Sequence, residues 1–121
     1  MLLLGLLLMV GADDAARAQG WAKKAKPIAT CTTAAECDAK WSKAKAWVQT
    51  NSRFQIAVDQ PNLLATHQPI YANTDLSFVV ERRTRPAGGF DIAARAWCGN
   101  TITCKPKPKA ALADLSRAIE G

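Results

Sequence analysis

The sequence predicts an α+β fold, a two-layer domain with an N-terminal helix, a four-stranded antiparallel meander and a C-terminal helix. Both helices are expected on one sheet face, with the other face left to solvent. Three observations carry this. One long segment repeats its apolar residues at helical spacing. The segments after it alternate with period two between turn residues, and a last segment returns to helical spacing. A chain of 121 residues has room for one core of this kind.

The first helix runs from about Ala34 to Thr50. Cys37, Trp41, Ala44 and Val48 recur at steps of four, three and four, which places them on one apolar stripe. Thr33 and Glu36 make a capping box, in which the Thr33 hydroxyl accepts the Glu36 amide and the carboxylate reaches back. Glu36 and Lys40 form an i,i+4 acid-to-base pair, and Asn51-Ser52 is a stop. Trp41 is read as a core anchor.

Four strands follow. Phe54, Ile56 and Val58 alternate with Gln55 and Ala57 before the turn residues Asp59-Gln60-Pro61-Asn62. Leu63 to Gln68 is a second, shorter strand ended by Pro69. Leu76, Phe78 and Val80 alternate with Ser77, Val79 and Glu81 in a third. Pro86-Ala87-Gly88-Gly89 is a hairpin signal. In the fourth strand Phe90, Ile92, Ala94, Ala96 and Cys98 share a face, and the small alanines there admit a closely packed helix. Pro108 then opens a last helix whose stripe is Leu112, Leu115 and Ile119.

The N-terminal end reads as an export signal. Leu2 to Val10 is almost wholly apolar, yet far shorter than the ~20 residues of a membrane-spanning helix. Ala16-Arg17-Ala18 matches an A-x-A cleavage site, so residues 1–18 are expected to be cut away before Gln19. No Lys or Arg precedes the apolar run, a departure from the usual pattern. Residues 19–30, with three lysines and no apolar periodicity, are expected to form a flexible basic lead-in, and 31–121 the single domain. No apolar run precedes Cys31, so no lipid anchor is expected.

Four cysteines in a small exported chain predict two disulfides. Three connectivities are open, and the equal spacings favour Cys31–Cys37 with Cys98–Cys104. A zinc site is not expected, because C-x5-C is not a common zinc spacing and the single histidine is remote. The placement expected is periplasmic or secreted.

The run Ala35-Glu-Cys-Asp-Ala-Lys-Trp41, then Ala46-Trp47-Val48, and later Ala96-Trp97-Cys98-Gly-Asn100 with Cys104, resembles a family of small secreted or lipid-anchored proteobacterial proteins. Those proteins carry an ECxxxW…WV helix and a C-x5-C segment. The resemblance spans roughly residues 35–119 and implies an envelope location and this fold, without an activity.

No catalytic motif is present, and no cofactor is expected. The chain lacks a P-loop, a dinucleotide fingerprint, H-E-x-x-H and G-x-S-x-G around any serine. His67 is the one residue suited to general-base chemistry, so a small hydrolase using His67 is the enzymatic alternative. A structural homo-oligomer pairing through the uncovered sheet face is another.

Charge is the more informative signal. The net charge of +6 gathers in three clusters: Lys23, Lys24 and Lys26; Arg82, Arg83 and Arg85; Lys105, Lys107 and Lys109. Cut before Gln19, the chain would lose Arg17 with Asp13 and Asp14, and stand at +7. Lysine and arginine both suit phosphate and carboxylate groups. The expectation is therefore a non-enzymatic binding module for anionic envelope components, such as anionic lipid, lipopolysaccharide or peptidoglycan. The arginine cluster and the second lysine cluster are its candidate site. Nucleic acid is not the expected partner, because export removes it from reach and no recognition motif occurs.

Overall fold

The computed structural model describes residues 13–121, so the apolar run from Leu2 to Val10 lies outside the described residues. Helix α1 occupies residues 13–22, followed by strand β1 (Lys26–Cys31) and helix α2 (Ala34–Asn51). Strands β2 (Ile56–Gln60), β3 (Leu63–Thr66), β4 (Ser77–Thr84) and β5 (Phe90–Trp97) come next, and helix α3 (Pro108–Glu120) is last. The five strands form one antiparallel sheet in the order β1-β5-β4-β3-β2.

Two expectations are corrected here. The sheet has five strands in this order, not four in a meander, because Lys26–Cys31 pairs along β5. The stretch 19–30 is accordingly the end of α1 and most of β1, not a flexible lead-in. Its lysines masked the strand. Only Ala29 and Cys31 of β1 are buried, and an edge strand tolerates exposed charge on its other positions.

On one face, α2 and α3 pack side by side as expected. Trp41, Ala44 and Val48 of α2 and Ala111, Leu115 and Ile119 of α3 meet Leu64, Phe78, Val80, Ile92, Ala94 and Ala96 from the sheet. Leu112 lies at the margin of this core and Ala111 inside it, one position from the expected stripe. Trp47 joins the helices: its ring stands edge-on to Phe78 at 5.2 Å, and its Nε1–H donates to Asp114 Oδ2 at 2.9 Å. Lys40 bridges three elements, donating to the Thr30 carbonyl at 2.7 Å and pairing with Glu120 at 3.2 Å.

The opposite face is not left to solvent. Ala18 and Ala22, four apart on α1, are 0% and 1% exposed against Val58, Leu63, Ala65 and Val79, with Trp21 and Trp97 at the margin. The molecule thus has three layers, helix on sheet on two helices. A β-bulge helps to fill this second core. The β2–β3 register slips between Ile56 and Val58, so Ile56 packs toward α2 and α3 while Val58 turns toward α1. Strict alternation would have put both on one face.

The disulfides are Cys31–Cys37 and Cys98–Cys104, the favoured pairing. The first ties the end of β1 to the first turn of α2 and shapes its cap. Thr33 Oγ1 accepts the Glu36 amide at 3.1 Å, while the Glu36 carboxylate accepts the Thr32 amide, one residue before the one a capping box uses. Two disulfides suggest an oxidising, extracellular environment. Among the described residues no helix is long and apolar enough to cross a membrane.

Candidate anion-binding surface

The three basic clusters have different fates. Arg82, Arg83 and Arg85 lie toward the β4–β5 hairpin, where each has an acidic partner. Arg82 pairs with Asp38 at 3.2 Å and lies over the Trp41 ring at 5.3 Å from its centroid, with its side chain largely buried. Arg83 pairs with Glu81 and also donates to the carbonyls of Ala22 and Ala25, clamping the exit of α1. Arg85 faces Asp91 at 3.6 Å. Three guanidiniums engaged in this way hold the fold together and present little unmatched charge.

The lysines differ. Every acid from Glu36 to Glu120 sits in an ion pair, with lysines 40 and 45 or with arginines. Among the described residues, Arg17, Lys23, Lys24, Lys26, Lys43, Arg95, Lys105, Lys107 and Lys109 enter no ion pair. Six of these nine unpaired cations belong to the two lysine clusters. These are far apart in sequence, but the sheet brings them together.

The register explains how. Lys26 pairs with Ala94, so β1 begins beside the last residues of β5, and α3 starts after the loop leaving β5. A groove of about 410 Å³ opens there. Lys24 and Lys26 line one side, Lys109 and Leu112 of α3 another, and Ala94, Arg95 and Ala96 of β5 its floor. Partial burial lowers the Arg95 pKa, although a guanidinium stays protonated at neutral pH. Its guanidinium carbon lies over the Trp97 ring, 4.5 Å from the centroid. Lys105 is directed elsewhere, into a second cleft of about 420 Å³ with Trp47, Phe78 and Pro106. The acids of that cleft are engaged, Asp75 with Arg53 and Asp114 with Trp47 and Arg117. The two hydrogen bonds to Asp114 lower its carboxyl pKa, the bond from Trp47 most.

The same end of the sheet carries a feature that the sequence reading missed. Ile70, Tyr71 and Ile102 are 58%, 89% and 92% exposed, the large apolar side chains that face solvent among the described residues. They stand on loops 67–76 and 98–107, which leave β3 and β5 at the end where β1 begins. The loops are tied: Ala72 N–H donates to the Gly99 carbonyl, Asn100 Nδ2 to the Ala72 carbonyl, and Lys105 N–H to the Thr74 carbonyl, at 3.0, 3.1 and 3.0 Å. Gly99 permits this contact, because a Cβ there would overlap the Ile70 carbonyl. Single apolar residues inside turn-rich segments were the available signal, and without the loop contacts they read as isolated.

His67 is exposed, in a small cleft of about 90 Å³ with Asp14, Arg17 and Trp21. Its backbone does the visible work: the carbonyl accepts from Thr66 Oγ1 and Ser77 Oγ, and the amide donates to Gln55. Ser116 Oγ donates to the Ile28 carbonyl and joins α3 to β1. Compared with protein-family models, curated proteins and solved structures, the chain matches none.

Proposed function

We propose that this chain is an exported, non-enzymatic module that binds acidic lipid surfaces of the envelope through the end of the sheet bearing the lysines. One observation supports the reading above the others: lysines without acidic partners and three solvent-facing large apolar side chains occur at the same end of the molecule. Either half alone is ordinary. Together they have the composition of a membrane-interface surface, in which ammonium groups attract headgroup phosphates and apolar tips enter the headgroup–acyl boundary. Each lysine near an anionic surface contributes about 1 kcal/mol, so several are needed for measurable binding.

The test is co-sedimentation of the oxidised protein with vesicles of acidic or zwitterionic phospholipid over a salt series. Binding to the acidic vesicles that weakens steeply with salt is the expected result. Replacing Lys24, Lys26 and Lys109 together by Glu should abolish it, and replacing Ile70, Tyr71 and Ile102 by Ser should weaken it at every salt concentration. Retention of binding by the lysine variant at low salt would sink the proposal. So would a wild-type protein that ignores acidic bilayers and binds only lipopolysaccharide or peptidoglycan.

A further inference from the structure

We infer that export processing cuts this chain between Ala12 and Asp13, and that α1 belongs to the mature protein. The A-x-A match at Ala16-Arg17-Ala18 is inside α1, and Ala18 is wholly buried against the sheet. Cutting there would remove Ala18 and most of the helix. Residues 19–22 alone are one turn, too short to hold helical form by themselves. Val58, Leu63 and Val79 would lose cover on a face built to receive it.

The fold fastens α1 from the other end as well. Arg83 donates to the Ala22 and Ala25 carbonyls, and Arg95 Nη1 to the Trp21 carbonyl at 3.4 Å. Cations at these carbonyls complement the negative end of the helix dipole. Trp21 also packs on Trp97, with ring centroids 5.1 Å apart. A discarded leader has no need of two arginines and an aromatic contact.

The sequence holds a second candidate site, with small Gly11 and Ala12 before the cut and Val10 at the third position upstream. Val10-Gly11-Ala12 directly ends the apolar run, where an export peptidase expects its cleavage segment. Hydrolysis there adds water across the Ala12–Asp13 amide, leaving a carboxylate on Ala12 and a free α-amine on Asp13. Asp13 and Asp14 then open α1, where acidic side chains favour the helix dipole and offset the new ammonium. Residues 1–12 carry no charged side chain, so the processed chain keeps its net charge of +6.

This inference shares only the export expectation with the proposed function. Its test is the intact mass and N-terminal sequence of the protein recovered from the exported fraction of a bacterium expressing the full chain. A first residue of Asp13 is expected. A first residue of Gln19 would overturn the inference and leave lipid binding standing. An exported chain that retains Met1 would overturn the inference alone, whereas a chain absent from the exported fraction would overturn both it and the exported half of the function. Two variants localise the cut. Ala12→Leu should accumulate unprocessed chain, whereas Ala18→Leu should leave the first residue at Asp13 and lower the melting temperature. Loss of processing in Ala18→Leu, with normal processing in Ala12→Leu, would reverse the assignment.

Discussion

At Gly89 the backbone holds φ at +76°, and a Cβ built there would lie 2.7 Å from the Cys31 carbonyl oxygen. Both facts demand glycine, the first for the hairpin and the second because β1 runs alongside. Gly89→Ala should destabilise the fold by about 1–3 kcal/mol, read as a lower urea midpoint with an unchanged slope. Asp114 and Glu36 make a different residue-scale prediction. Hydrogen bonds from Trp47 and Arg117 to Asp114, and from the Thr32 amide to Glu36, lower these carboxyl pKa values in the folded state. Their stabilisation is present above the ordinary carboxylate pKa and is lost as pH falls through the depressed folded values. The double variant Glu36→Gln with Asp114→Asn should therefore lose stability at neutral pH and show a flatter acid limb as pH falls below the ordinary carboxylate range. An acid limb as steep as wild type would refute the assignment.

At the scale of elements, each disulfide ties the end of a strand to the segment that follows it. Cys31–Cys37 holds the end of β1 against the first turn of α2, and Cys98–Cys104 closes the loop that carries Ile102. Loops this short contribute about 2 kcal/mol each in the chain-entropy model. Replacing Cys98 and Cys104 by Ser should cost about that much stability and weaken binding to acidic vesicles, because Ile102 loses its fixed position. Replacing Cys31 and Cys37 should cost similar stability with binding retained. Equal binding losses in both variants would mean that the loop has no particular role. Helix α2 was legible except for half of its cap. The Thr33 bond to the Glu36 amide, the stripe and the end follow from residues within one segment, whereas the Glu36 carboxylate accepts from Thr32. Strand β1 was not legible, because its burial is confined to two residues and its pairing partners lie about sixty positions or more away.

At the scale of the whole molecule, the charge distribution was half legible. The three basic clusters stand in the sequence, but their pairing does not. Asp38 lies on α2 and meets Arg82 on β4, while Lys24 and Lys109 meet across a groove between β1 and α3. The arginine cluster should consequently act on stability more than on binding. Arg83→Ala removes the clamp on α1 and should lower the melting temperature while leaving the salt-dependent association with acidic vesicles intact. A selective loss of binding with unchanged melting would return the arginines to the candidate surface. The face once expected to serve self-pairing carries α1, so a homo-oligomer would need some other surface.

Periodicity, caps and turn residues are local, and through them the sequence by itself determined α2, α3, the β4–β5 hairpin and most residues of the main core, though not Ala29 or Ala111. The spacing of the cysteines likewise favoured the pairing found. Tertiary structure alone decided the fifth strand, the burial of Ala18 under the sheet and the face that Val58 occupies. It also decided which cations keep their charge unmatched. Each of these depends on pairing between distant segments, where register and docking choose among partners that the local sequence leaves equivalent.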